Sequence, residues 1–192
     1  MRKPVDAARI HAFLTALGTR FRHPGRVYLV GGSTIVLEKL RAQTMDIDLT
    51  YDVAPAYLGE FIDTIRRLKD ELDVNVEEVS PAHFIPLPEG HAGRARYLGR
   101  YGSLDAYHFD PYSTALSKID RGTEKDFDDV RAMLRSGLIA WSRLEECYAS
   151  IVPRFGRESL KQDPERLRRH FELLRAEFGA GAPPPPPRSP PT

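Results

Sequence analysis

The chain has 192 residues, of which 41% are hydrophobic and 29% charged, and a formal net charge of +1. That length suits one domain with an appendage, and the near-zero charge gives no global reason to expect a polyanionic partner. No apolar run approaches the length of a membrane span, none follows Met1-Arg-Lys-Pro as a secretory signal, and a lone Cys147 excludes an internal disulfide framework, so a cytoplasmic protein is expected. The charge is uneven, however. Arg2, Lys3, Arg9, Arg20, Arg22 and Arg26 face only Asp6 within the first 26 residues, and His91, Arg94, Arg96 and Arg100 cluster without an acid. Such patches attract polyanions.

In chain order, Asp6 is a good N-cap for a first helix, along which Ile10, Phe13, Leu14, Leu17 and Phe21 recur at helical spacing until His23-Pro-Gly25 stops it. Residues 26–30 read as a short buried strand, Gly31-Gly32-Ser33 as a tight turn and residues 34–40 as a short helix. Residues 45–51 alternate Asp46, Asp48 and Thr50 against Ile47, Leu49 and Tyr51, which is a strand with one polar face. Pro55 suits the first turn of a helix whose apolar stripe runs through Leu72. A strand is expected over 74–79, a loop over 81–95, and a hairpin of 96–101 and 104–109 joined near Gly102-Ser103. Helices follow near 112–120, 123–136, 141–151 and 163–178, with Trp141 anchoring one of them in the core.

Seven of the sixteen prolines lie between Pro183 and Pro191, a run that holds neither a helix nor a ladder because proline lacks the N–H. The expected architecture is α/β of the α+β kind: a small mixed sheet flanked by helices over 1–135, a helical C-terminal segment over 136–179 and a disordered Pro-rich tail over 180–192.

The chemistry concentrates in Val30-Gly31-Gly32-Ser33 and Asp46-Ile47-Asp48-Leu49. Glycines between a strand and a helix let the backbone approach a ligand closely, and the amides that open the helix suit phosphate. The stretch lacks the third glycine of a dinucleotide fingerprint and the Gly-Lys-Ser/Thr of a Walker loop. Asp46 and Asp48, two apart on a strand, point to one face. Two carboxylates so close repel, and a hard divalent cation relieves the repulsion while taking phosphate oxygens as further ligands. An isolated Asp-x-Asp is usually a solvated strand edge and an isolated Gly-Gly-Ser usually a turn. In this order, on strand, turn, helix and strand, they point to a metal–nucleotide site.

With twelve residues between Ser33 and Asp46, this pattern resembles the motif of the nucleotidyltransferase superfamily, which has the DNA polymerase β-like fold. The resemblance implies that Gly31, Gly32 and Ser33 hold the nucleotide phosphates and that Asp46 and Asp48 bind Mg²⁺, with Mn²⁺ as the alternative. A second stretch, Ala115-Leu-Ser-Lys118-Ile119 followed by Arg121 and Lys125-Asp126-Phe-Asp-Asp129-Val130, is similar to the C-terminal motif of AbiEii/AbiGii-type nucleotidyltransferase toxins. It implies that Lys118 contacts nucleotide phosphate and that Asp126 lies beside the active site. Read without the resemblance, Thr123-Glu-Lys-Asp126 is close to a capping box, and Lys118 is a surface lysine.

The implied activity is transfer of a nucleoside monophosphate from an NTP to a hydroxyl of RNA, such as a tRNA 3′ end, or of a protein side chain, by a toxin with an antitoxin partner. Many superfamily members carry a third carboxylate, for which Glu77, Glu78 and Asp105 are the candidates. Without one, the alternative is a catalytically inactive nucleotide- or RNA-binding module of the same fold; a structural antitoxin-like subunit is a third reading. Tyr97, Tyr101 and Tyr107 interleave with Arg96 and Arg100, as a base-stacking surface or as the packing of a hairpin.

Overall fold

The computed structural model describes residues 2–157 and 162–179; the Pro-rich run expected to be disordered lies outside them. By contact the chain divides into two compact units. The first takes the residues up to 80 together with 95–109, and the second takes 81–94 and the described residues from 110 onward.

The first unit holds helix α1 (Ala7–Arg20), strand β1 (Gly25–Leu29), helix α2 (Gly31–Leu37), strand β2 (Asp46–Val53), helix α3 (Leu58–Glu71) and strands β3 (Asn75–Glu78), β4 (Arg96–Tyr101) and β5 (Leu104–His108). The strands form one mixed five-stranded sheet in the order β3-β2-β1-β5-β4. β1 is central, antiparallel to β2 and parallel to β5, and β2 runs parallel to β3. Asp6 caps α1 by accepting from the Arg9 N–H at 2.9 Å.

Alternation along the strands gives the sheet two unlike faces. Val27, Leu29, Ile47, Leu49, Val76, Leu104 and Ala106 share one buried cluster with Phe13 and Leu17 of α1 and Phe61 and Leu68 of α3. Burial of this apolar surface is the main force holding the unit together, at roughly 25 cal/mol per Å² removed from water. The opposite face carries Asn75 and Glu77 of β3, Asp46, Asp48 and Thr50 of β2, Arg26 and Tyr28 of β1, Asp105 and Tyr107 of β5 and Tyr97 of β4.

Three local expectations change. Gly31 does not sit in a turn ahead of the second helix but is its first residue. Pro55 opens a separate 3₁₀ turn, Pro55–Tyr57, before α3 begins. Residues 81–95 contain two 3₁₀ turns, Pro81–His83 and His91–Arg94.

The second unit contains helices α4 (Pro111–Arg121), α5 (Glu124–Arg135), α6 (Trp141–Ile151) and α7 (Pro164–Phe178). Asp110 caps α4 through the Tyr112 and Ser113 amides, and Gly122, with φ 66°, ends it in the left-handed conformation that glycine adopts without steric cost. Leu116, Ile119, Met133, Leu144, Ile151 and Phe171 are fully buried. Trp141 packs beside Phe171, ring centres 5.2 Å apart.

Candidate active site

The carboxylates gather on the polar face of the first unit's sheet because of strand register. Parallel pairing sets Asp46 opposite Asn75 and Asp48 opposite Glu77. Period two keeps all four side chains on one face. One carboxylate oxygen from each of Asp46, Asp48 and Glu77 falls within 4.8 Å of the others. Asn75 stitches the pairing together: its Nδ2 donates to Asp46 Oδ1 at 2.5 Å and to Glu77 Oε1 at 3.3 Å.

Of the three acids that the sequence left open, Glu77 is the one that lies beside Asp46 and Asp48. Glu78 projects to the other face, where it accepts from the Tyr51 hydroxyl at 2.9 Å; burial, aided by that bond, pushes Tyr51 up to about 12. Asp105 lies two strands from β2, 3.7 Å from Arg100 Nη1.

The glycine turn meets these acids at Asp48. Val30 N–H donates to the Asp48 carbonyl at 3.1 Å, so β1 and β2 are still paired where α2 begins. Gly31 then takes φ +53°, and a Cβ there would stand 2.5 Å from Asp48 Oδ2. Glycine is required both for the left-handed backbone and for the closeness of the carboxylate. Gly32 N–H donates to Asp48 Oδ2 at 3.0 Å, and Ser33 Oγ, fully buried, accepts from Asp48 N–H at 2.9 Å. These hydrogen bonds tie the turn to Asp48 and orient its carboxylate.

Three hard oxygen donors on adjacent strands, one of them fixed by a backbone amide, fit a divalent cation such as Mg²⁺. Asp46 and Asp48 are half-buried and Glu77 is exposed, which leaves the cluster reachable from water. A hollow of about 400 Å³ lined by Arg2, Met45, Asp46, Lys69 and Asn75 adjoins it.

The chain matches, over residues 8–171, the family described as nucleotidyltransferase of unknown function (DUF6036). It belongs to that family. No curated protein and no solved structure matches the chain. The glycine turn and the acid pair therefore stand in a chain of a nucleotidyltransferase family, as the resemblance implied.

Lys118 and Asp126, the other residues assigned by resemblance, stand together in the second unit of this nucleotidyltransferase. The Lys118 ammonium donates to Asp129 Oδ2 at 2.7 Å and to Asp126 Oδ1 at 3.2 Å, and all three side chains are at most 6% exposed. Arg121 pairs with the same Asp126 oxygen. Thr123 caps α5 by accepting from the Asp126 N–H, while its hydroxyl donates to Asp126 Oδ2 at 2.8 Å. Burial acts to raise the Asp126 carboxyl, but the Arg121 hydrogen bond, the Lys118 charge and the Thr123 hydroxyl outweigh it and hold the carboxyl below the usual range.

The basic patches also look different in three dimensions. Arg94 pairs with Asp110 at 2.8 Å, Arg96 with Glu38, Arg2 with Asp70 and Arg20 with Glu71. Acids remote in sequence neutralise much of what looked like unopposed positive charge. Of the hairpin tyrosines, Tyr97 and Tyr107 lie on the carboxylate face. A register shift between Tyr97 and Gly99 turns Tyr101 to the other face, where its hydroxyl meets His11 Nδ1 at 2.6 Å.

Asn75 was missed by the sequence reading. Its one legible signal is its place two residues before Glu77 on a strand.

Proposed function

We propose that this chain transfers a nucleoside monophosphate from an NTP to a hydroxyl acceptor, releasing pyrophosphate, with Mg²⁺ or Mn²⁺ held by Asp46, Asp48 and Glu77. The convergence of those three carboxylates beside the Gly31–Gly32–Ser33 turn carries the reading. A divalent cation bound there supplies neutralisation of the charge on the transferring phosphoryl group. The residues do the rest by position. The Gly32 amide and the Asn75 side-chain amide hold two of the acids in place before substrate arrives. The acceptor oxygen forms the new P–O bond as the bond to pyrophosphate breaks, and its proton passes to a carboxylate of the cluster or to water.

The acceptor we favour is the end of an RNA such as a tRNA, ahead of a protein hydroxyl. Support comes from a row of rings on the carboxylate face. Tyr28 stacks on Tyr107 at 5.4 Å, and Tyr107 meets Tyr97 edge-on at 5.3 Å, with Tyr97 59% exposed. Aromatic rows of this kind stack on unpaired bases. The similarity of the 115–130 stretch to AbiEii-type toxins adds the reading of a toxin with an antitoxin partner. The inactive-module alternative draws on the lack of a third acid, and the closeness of Glu77 to Asp46 and Asp48 favours the enzyme over it.

The test is incubation with each labelled NTP, Mg²⁺ and total RNA. Label should move to RNA with the wild type. Asp48→Asn, which keeps an acceptor for the Gly32 amide, should abolish transfer, and Glu77→Gln, which removes a charged oxygen ligand of the cation, should lower it by at least about a hundredfold. Nucleotide binding without transfer to RNA or protein, under all four NTPs, would leave the inactive module standing instead.

A further inference from the structure

On the reading of the carboxylate site given above, the substrates bring more phosphate charge to the acids than a metal alone offsets. The outer phosphates of an NTP and the last phosphodiester of an RNA acceptor both keep negative oxygens that a half-buried site solvates poorly. Cationic side chains are needed close to the acids. The hollow of about 400 Å³ beside the cluster has them: Asp46, one of the three acids, and Asn75, which bonds to Asp46 and Glu77, line it together with Arg2, Lys69 and Met45. Its size is that of a small-ligand site.

Lys69 is the donor that fits. Its ammonium donates to the Val76 carbonyl at 3.1 Å, a neutral partner, and no carboxylate pairs with it among the described residues. An ammonium carries three N–H, so two remain for a ligand. Arg2 divides its guanidinium between Asp70, at 2.5 Å, and the Val74 carbonyl, and its charge adds to that of Lys69. Phosphate oxygens complete the shell of a cation held by a few carboxylates, so a phosphate bound at Asp46 occupies space that Lys69 also lines. We propose that this hollow is a substrate-phosphate site with Lys69 as its donor, filled by the outer phosphates of the NTP or by the last phosphodiester of the RNA acceptor.

The chain is built to deliver that side chain. Helix α3 packs on the buried face of the sheet through Phe61 and Leu68, whereas Asp46 and Asn75 belong to the opposite face. A side chain from α3 comes to Asp46 past the edge of the sheet, and β3 is an edge strand. Lys69 stands in the last turn of α3, and its flexible four-carbon stem makes that reach. Its own carbonyl accepts from the Val74 N–H at 3.1 Å while its ammonium meets the Val76 carbonyl, so backbone and side chain both tie it to the incoming strand. Asp73, at φ 51°, reverses the chain between helix and strand, and Arg9 Nη2 holds that reversal by donating to the Leu72 and Asp73 carbonyls at 2.9 and 2.8 Å. Val76 lies between Asn75 and Glu77, which sets the ammonium against the stretch of β3 that carries both. Lys69 is half-buried, so solvent and ligand reach it. A lysine at an edge strand also blocks pairing with another chain, a structural role that phosphate binding separates from the proposed one.

Three titrations of the full chain test the assignment: inorganic tripolyphosphate plus Mg²⁺ by calorimetry, a 5′-labelled single-stranded RNA plus Mg²⁺ by fluorescence anisotropy, and Mn²⁺ by electron paramagnetic resonance. Lys69→Gln is expected to weaken at least one phosphate probe about tenfold or more, the effect of losing a charge-assisted hydrogen bond. Its Mn²⁺ affinity should stay the same or rise, because a cation near the acids is gone. Loss with tripolyphosphate assigns the hollow to the NTP, and loss with RNA assigns it to the acceptor. Lys69→Arg, which keeps the charge, should recover part of the affinity. Arg2→Gln must show a smaller loss with the same probe, which covers the case in which Lys69→Gln folds poorly. Lys125→Gln removes an exposed lysine of the second unit and should change neither probe by as much. Wild-type affinity for both probes in Lys69→Gln overturns the proposal, even if its urea midpoint falls, and so does an equal loss in Lys125→Gln or a parallel fall in Mn²⁺ affinity. If the wild-type protein binds no Mn²⁺, the reading of the carboxylate site has failed first and the phosphate site falls with it.

Discussion

Two clusters of charged side chains, one in each unit, use the same few residue types to opposite ends. In the second unit, Lys118 and Arg121 face Asp126 and Asp129, and opposite charges meet in a buried network whose side chains, Arg121 apart, are almost inaccessible to water. In the first unit, Asp46, Asp48 and Glu77 bring like charges together on a sheet face that water reaches. A buried cluster of opposite charges satisfies itself, whereas gathered carboxylates are held against their own repulsion by the fold. The first arrangement is what a scaffold needs, and the second is what a cation-binding site needs. Burial and the sign of the neighbours, and not residue type, separate the two.

The sharpest way to break this contrast is to neutralise one member of each cluster. Asp46→Asn should lower nucleotidyl transfer about 10³-fold, on the scale of removing one preorganised electrostatic partner of a transition state. Its urea midpoint should stay the same or rise, because one of three like charges is gone. Lys118→Met should do the reverse to stability. It leaves Asp126 and Asp129 buried without their shared cation, at about 3–5 kcal/mol, read as a lower urea midpoint with the slope unchanged. Transfer assayed at a temperature where this variant stays folded then measures any direct part that Lys118 plays with phosphate.

A smaller change tests how the turn holds its acid. Gly31→Ala forces a left-handed alanine, at about 1–2 kcal/mol, and drives a methyl toward Asp48 Oδ2. Metal affinity should fall along with the urea midpoint, whereas Gly59→Ala, in α3 where a Cβ meets nothing within 4 Å, should leave metal affinity unchanged and raise the midpoint slightly.

The smallest effect is in pH. The Asp126 carboxyl is held below its ordinary value, so its stabilisation is complete above the unfolded value of about 3.9 and is lost as pH falls through the lower, folded value. Urea midpoints measured from neutral pH down into that acidic window should show this loss in the wild type. In Lys118→Met, which removes one of the influences that lower the carboxyl, the loss should be smaller.

Most of the secondary structure was legible because period and punctuation agree along this chain. Asp6, Asp110, Thr123 and Asp163 each stand just before an apolar helical stripe, and each caps the helix that follows. The alternation at Asp46–Tyr51 matched a strand with one polar face because Ile47 and Leu49 needed burial. The resemblance likewise pointed to Gly31, Gly32, Ser33, Asp46 and Asp48, which the fold brings close together. It did not separate Glu77 from Glu78, since neighbouring acids on a strand differ only in which face they take, and that depends on register with β2. It also left Lys118 between a phosphate contact and a surface lysine, because partners eight and eleven residues away and the depth of burial belong to helix packing.

Local rules of propensity, capping and alternation, all carried by short stretches of chain, therefore determined where this protein has helices and strands and which two aspartates share a face. Only the tertiary structure decided that Glu77 joins the acid cluster, that Asn75 bridges it, that Arg2 and Lys69 meet Asp46 around one hollow, and that distant acids neutralise the arginine patches. Each of those outcomes depends on strands or loops meeting across many residues of sequence, where pairing register and packing set distances that no local pattern encodes.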